Sequence, residues 1–449
     1  MTRVTPGGEA APGGGQAAPG DGQAAQGGGQ AAQGDQGNSA DGQSRWDVVV
    51  AGAGPAGSIA ALVLARAGAR VALVDKAAFP RDKACGDLIG PRGVRLLEEL
   101  GVRVPDAGTG SDLLVAGPSR RRSRLPAFGG KTYADHGMVV PRRILDDALR
   151  AEALAAGATP VRARISGADR SPGGPVRALV TSDGGRLAAD IVIGADGALS
   201  RVAQLAGMLD PAAALWGFAI RGYIPAQVPL PLLVLLDERP WHIYPGYGWL
   251  FPGDGGQANV GIGIGMGRRR AAAPLRADLD RLCARLRREG DISPNAHPGP
   301  VVGGWLRMGG TGTPPAAGNV LLIGDAAGLI NPLQGEGIGP AMVSARAAAE
   351  AVIKDPGRAA ASYTEAIGEL MRRYMTGAAA LQEAMLGRPR LASAGMRLLT
   401  SPPLRRLVAG TWSLYWNGLA DGAAPRPSAR GAALVEDLAW RLASRARGS

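Results

Sequence analysis

Three glycines are set closely in Gly52-Ala-Gly54-Pro-Ala-Gly57. At this spacing the first permits a tight turn and the second lets the backbone approach a pyrophosphate. The third lets a helix pack closely on a strand. The chemistry of such a set is dinucleotide holding, with the pyrophosphate at a helix N-terminus. Asp75, 18 residues after Gly57, can accept hydrogen bonds from an adenosine ribose. Two more acids follow apolar runs: Asp196 in Gly194-Ala-Asp-Gly197 and Asp325 in Gly324-Asp-Ala-Ala-Gly328. Asn331-Pro-Leu-Gln-Gly-Glu-Gly337 comes next, and its Gly335 and Gly337 free backbone N–H groups at the start of a helix.

The elements that must position these residues can be read from apolar runs. Asp47–Ala51 reads as a buried parallel strand, Ser58–Ala67 as a helix ended by Gly68, and Arg70–Val74 as the next strand. The run from Ala189 and the run from Asn319 read as two further strands, ending at the Asp196 and Asp325 turns. Ser200 and Arg201 open a helix, and another covers about Ile338–Ile353. Three strand-tip sites this far apart suit a long, extended cofactor. Gly261-Ile-Gly-Ile-Gly-Met-Gly267 alternates glycine with apolar residues, which predicts a strand closely approached by something rather than a second dinucleotide site. Tyr247, Trp249 and Phe251 alternate, so on a strand they share one face. Val228–Leu236 could extend that apolar wall. Ala359–Leu386 and Leu391–Leu419 read as helical, the second interrupted at Pro402-Pro403. A short helix over about Ala432–Ser444 comes last.

Composition sets bounds. Of 449 residues, 46% are hydrophobic and only 4% aromatic, enough for a large core. No apolar run reaches the ~18 residues that a transmembrane helix needs. Two cysteines, Cys85 and Cys283, cannot build a disulfide framework, and no secretory signal is read, so the expected compartment is the cytoplasm. Three histidines and no Cys-x-x-Cys pair leave no expected metal site. The net charge is +12, but almost all the basic residues are arginine and their clusters are short and scattered. No nucleic-acid partner is expected. Residues 1–45, with 13 Gly, 7 Gln and a Gly-Gln-Ala-Ala repeat, read as a disordered tail.

The set of strand-tip motifs resembles the FAD-binding fold of p-hydroxybenzoate hydroxylase-like enzymes. Within that fold, Pro80-Arg-Asp-Lys-Ala-Cys-Gly-Asp87, Pro245-Gly-Tyr-Gly-Trp-Leu-Phe-Pro252 and the Gly324–Ile338 stretch resemble the geranylgeranyl reductase family, which includes reductases of the menaquinone side chain. The fold class implied is α/β. A Rossmann-like FAD-binding domain is interleaved with a mainly antiparallel β-sheet substrate domain and followed by a helical C-terminal part. The expected FAD-binding segments are 46–110, 141–208 and 313–357. The substrate segments are 111–140 and 209–312, and the helical part is 358–449.

The resemblance implies FAD contacts from Gly52, Gly54, Ala56, Gly57, Asp75, Lys76, Cys85, Gly86, Asp87, Arg142, Asp196, Gly324, Asp325, Pro332, Gly335, Gly337 and Ile338. It implies an isoprenoid slot at Tyr247, Trp249 and Phe251, and Cys85 as the catalytic candidate. The implied activity is saturation of carbon–carbon double bonds in an isoprenoid chain. The alternative is a monooxygenase or halogenase on the same fold, although Trp249-Leu-Phe-Pro252 matches a halogenase Trp-x-Trp-x-Ile-Pro motif only in part. The reductant is NADPH or another donor. Oligomeric state is not legible. Trp412, Tyr415 and Trp416 share a helix face, so that helix is either a peripheral contact with the inner face of the membrane or a packed cap.

Overall fold

The computed structural model describes residues 45–105, 108–110, 112–117, 122–130, 133–235, 246–268, 275–386, 394, 405–418 and 426–447. The Gly/Gln-rich tail, and most of the stretch between 387 and 404, lie outside the described residues.

An eight-stranded sheet carries the Rossmann-like part. Its main path runs Ala316–Ala317, Val320–Leu322, Arg186–Gly194, Trp46–Ala51, Val71–Asp75 and Thr159–Arg162. Trp46–Ala51 lies at the centre, parallel to both neighbours, and Val48, Val49 and Val50 are fully buried. That burial on both faces explains the unbroken apolar run. Helices Pro55–Arg66 and Ile338–Lys354 pack on each other and on this sheet. The first begins three residues earlier than its sequence pattern suggests. Pro55 suits a first helical position, where no N–H is needed, and Gly54 takes the extended conformation before it.

The second sheet has seven strands, in the order Val302–Met308, Leu215–Pro225, Gln257–Gly267, Gly246–Pro252, Leu232–Leu235, Asp112–Ala116 and Arg122–Pro126. All neighbours are antiparallel except Leu232–Leu235 with Asp112–Ala116. Helix Leu275–Glu289 covers one face with Leu275, Leu279, Leu282 and Leu286. The other face meets the short strands Leu88–Ile89 and Gly137–Val139 and the C-terminal helices.

The helical C-terminal part contains Ala359–Ile367, a π-helical turn at Gly368–Arg372, Arg373–Leu386, Arg405–Trp416 and Arg426–Arg447. The last helix starts six residues before its sequence pattern, because Pro427 is tolerated in a first turn. Helix Arg405–Trp416 packs on strand Arg122–Pro126 and on the last helix. It buries Leu414 and Tyr415, and Tyr415 meets the Tyr374 ring at 5.6 Å. Tyr415 is therefore part of a packed cap, not an exposed interfacial face.

Candidate functional site

The glycine turn works by exclusion. Gly52 has φ +108°, and a Cβ there would strike the Ala195 carbonyl. A Cβ on Gly57 would strike the Gly52 carbonyl. Turn and helix therefore meet at a spacing that only glycine permits. No side chain caps helix Pro55–Arg66, so its first-turn N–H groups face the cavity unpaired by a side chain. Asp75 is fixed at its strand tip by accepting from Ala53 N at 2.8 Å and Ala77 N at 2.9 Å. Each oxygen keeps a lone pair for a ribose hydroxyl.

A cavity of about 920 Å³ begins at this turn. Its wall includes Gly52, Gly54, Ala56, Asp75, Lys76, Cys85, Gly86, Arg142, Asp196, Asp325, Pro332, Gly335, Gly337 and Ile338. Tyr247, Trp249 and Phe251 line the same cavity, so the structure brings the expected cofactor and substrate residues to one space. Gly57, Asp87 and Gly324 stand behind the wall. Gly324 lies where the two long helices converge, and its Cβ would sit 3.0 Å from Ala341 and 3.2 Å from Ala56.

The carboxylates differ in how free they are. Asp196 accepts from Ser200 Oγ at 2.5 Å, Arg201 N at 2.6 Å and Val202 N at 3.0 Å. It is chiefly committed to starting the Arg201–Leu205 helix. Burial nevertheless raises its pKa against those bonds. Asp325 faces the cavity with Lys83 Nζ at 3.6 Å.

The sequence assigns no role to the Arg81-Asp-Lys83 triplet. Its three side chains tie the loop to three elements. Arg81 meets Asp146 at 2.9 Å, Asp82 meets Arg221 on the second sheet, and Lys83 meets Asp325. Arg142 donates to both Asp146 oxygens, at 2.6 and 2.8 Å. A run of adjacent charges after a ribose-type Asp is the signal that could have marked them.

Asp87 is a hub rather than a lining residue. It is 1% exposed and has φ +64°. Its Oδ2 accepts from Tyr223 Oη at 2.6 Å and Asn259 Nδ2 at 2.8 Å, and its Oδ1 accepts from Arg142 N at 3.3 Å. Burial pushes its carboxyl upward, while these bonds oppose the shift. The Asp87 N–H in turn donates to Cys85 Sγ at 3.4 Å. Cys85 is thus held at the wall, half-buried, with its thiol pushed up by burial although Arg142 pulls it down.

Opposite lies a ladder of rings. Tyr247 and Trp249 have centroids 6.1 Å apart, and Trp249 and Phe251 stack at 6.2 Å. Across the strand pair Trp249 faces Gly261 and Tyr247 faces Gly263. A Cβ on Gly261 would overlap the Trp249 indole. The glycine alternation expected to admit a close approach therefore admits this ring. Trp249 Nε1 donates to Asn259 Oδ1 at 2.8 Å, and Asn259 Nδ2 donates to Cys85 O at 2.8 Å. Asn259 joins the ladder to the cysteine loop.

Glu336 had no role in the sequence reading. It lines the cavity, accepts from Gly339 N at 2.6 Å, and is raised to about 7 by burial. The polar groups present fit FAD: an uncapped helix start and a free-edged carboxylate at Asp75 for one end, and the backbone of Gly337 for the other, whereas the Gly335 N–H, expected to be free, is donated to the Asn331 carbonyl at 2.8 Å. They would hold it along the wall just described.

Comparison with known proteins agrees with this geometry. Residues 45–386 match the family model described as FAD binding domain. Menaquinone reductase of Mycolicibacterium smegmatis is 38% identical over 323 residues, covering 68% of this chain and 76% of that one. Digeranylgeranylglycerophospholipid reductase 1 of Methanopyrus kandleri is 32% identical over 327 residues, covering 69% and 80%. A geranylgeranyl bacteriochlorophyll reductase-like structure from Thermoplasma acidophilum superposes with TM-score 0.66 at 23% identity, covering 89% of this chain and 99% of that one. With that turn, that cavity and these relatives, the chain belongs to the FAD-binding family and, within it, to the geranylgeranyl reductase group of FAD-dependent oxidoreductases.

Proposed function

We propose that this oxidoreductase saturates carbon–carbon double bonds of an isoprenoid chain carried on a menaquinone-like or geranylgeranyl lipid. The observation that carries the reading is one continuous cavity. It runs from the glycine turn past Cys85 to the Tyr247–Trp249–Phe251 ladder. The reductase names of the relatives support the same activity over oxygen chemistry on this fold.

An isolated alkene has no carbonyl to polarise. A hydride added to one carbon must therefore be matched by a proton on the other. FAD, when bound in its reduced form, supplies the hydride. The protein supplies position, dryness and the proton. The ring ladder lays an apolar wall along the chain and keeps water from it. Cys85 is the proposed proton holder, since burial keeps its Sγ protonated at neutral pH and the Asp87 N–H fixes its place. The proposed FAD contacts are the lining residues from Gly52 to Ile338 named above, with Gly57, Asp87 and Gly324 acting through packing and hydrogen bonds.

The segments proposed to form the FAD-binding part are 46–110, 141–208 and 313–357, with the substrate part between them. No helix among the described residues is long and apolar enough to cross a membrane. The proposed place of action is the cytoplasmic face of the membrane, touched peripherally. Free thiols at Cys85 and Cys283 support a reducing compartment. NADPH or another donor reduces the flavin.

Oxygen dependence tests the reading. The pre-reduced holoenzyme should turn over prenyl lipid under strict exclusion of oxygen. Cys85→Ala should keep its flavin and lose roughly 10²-fold or more in rate. Turnover that appears only with oxygen, giving oxygenated product, would overturn the proposal.

A further inference from the structure

The last helix, Arg426–Arg447, has two faces of opposite character. Ser428, Ala432, Ala439 and Ala443 are buried, and the helix packs on Arg373–Leu386 and Arg405–Trp416. Away from that seam, Leu434, Leu438 and Leu442 are 60%, 57% and 38% exposed. They stand four residues apart and form one ridge. Beside it Arg426, Arg430 and Arg441 are exposed, and among the described residues they form no ion pair. The helix's acids, Glu436 and Asp437, are both bound by Arg373, with Nε 3.1 Å from Glu436. The free charge on this surface is therefore positive.

We propose that this face docks on an anionic lipid bilayer, with the leucine ridge in the acyl boundary and the arginine ridge among the headgroups. The inference rests on the isoprenoid reading above and supplies the surface it requires. A leucine ridge flanked by arginines with no ion pair among the described residues is the pattern of a helix lying in a membrane interface. A second copy fits less well. It would bring arginine ridges together, and three leucines fall short of the ~800 Å² per partner that a stable pair buries. The neighbouring helix Arg405–Trp416 lines the cavity through Ser413 and Leu414, and Asn417 just after it lines the cavity too. The docked face is thus one helix from the cavity wall, a short path for a chain that does not dissolve in water.

The test uses the full-length, FAD-loaded protein at low salt. Vesicles of phosphatidylcholine with and without phosphatidylglycerol are sedimented, and the bound fraction is read by flavin absorbance. The protein should pellet with the anionic vesicles. Leu434→Glu with Leu438→Glu should lower that partition ~10-fold or more. Arg430→Glu with Arg441→Glu should weaken it for anionic vesicles and remove its salt dependence. Both variants change exposed positions, so flavin content and turnover of detergent-dispersed prenyl lipid should match the parent. The proposal is overturned if parent and leucine variant partition alike, or if the parent stays in solution with both vesicle types. It is also overturned if the leucine variant only splits a dimer. A parent that docks but reduces no dispersed lipid would sink the reductase reading and leave the docking surface standing.

Discussion

Gly57 shows how one missing methyl group can decide how closely a helix packs on a turn. Its hydrogen points at the Gly52 carbonyl, and helix Pro55–Arg66 cannot reach its seat with a larger side chain. Gly57→Ala should cost ~1–3 kcal/mol through overpacking and should purify with little flavin, read as the FAD-to-protein ratio. Normal flavin content would mean that the turn is looser than described. Glu336 gives a second residue-scale prediction. Burial raises it to about 7, above its unfolded value. Its neutral form therefore favours the folded state at low pH, and that contribution is lost as pH rises through about 7. Melting temperature should fall between about pH 5 and 8, and Glu336→Gln should flatten the slope. An unchanged slope would assign the pH dependence to other groups.

At the scale of elements, the glycine-punctuated strand Gln257–Gly267 carries the clearest lesson. Its pattern predicts a close neighbour, but the neighbour, Trp249, is twelve residues before Gly261 in sequence and across a strand pair. Only the register of Trp249 against Gly261 identifies it. Gly261→Ala should displace the indole, cost ~1–3 kcal/mol and raise KM for a prenyl substrate while leaving FAD content intact. An unaltered KM would remove the ring ladder from substrate binding. The strand–turn–helix at Trp46–Arg66 was legible because its chemistry is local: apolar run, glycines and helix follow in order. Asp87 was not legible as a hub, because Tyr223, Asn259 and Arg142 reach it from more than fifty residues away. Arg81 and Lys83 were not legible for the same reason, since Asp146 and Asp325 are brought to them by how the loops fold over the sheet. The early start of the last helix shows a smaller limit. Pro427 reads as a break in sequence but is an ordinary first-turn residue in the fold.

At the scale of the whole molecule, two sheets with different tasks share one cavity. The mixed eight-stranded sheet brings strand tips and helix starts to the end of the cavity proposed for the cofactor. The antiparallel sheet offers the apolar wall, and the loop from Arg81 to Asp87 ties the two together through ion pairs and the Asp87 hub. Helix Arg405–Trp416 closes the far side of the same space. Part of the net charge of +12 lies on the exposed arginines of the last helix. The central claim is that reduced flavin and a prenyl chain meet in this cavity and that the chain loses double bonds. The most direct measurement is the mass of the lipid after anaerobic turnover of menaquinone, with the product returned to air first so that any reduced ring is oxidised again. The account predicts a gain of two hydrogens per saturated bond, located by fragmentation in the side chain. A lipid that regains its starting mass in air, or carries added oxygen, would contradict it.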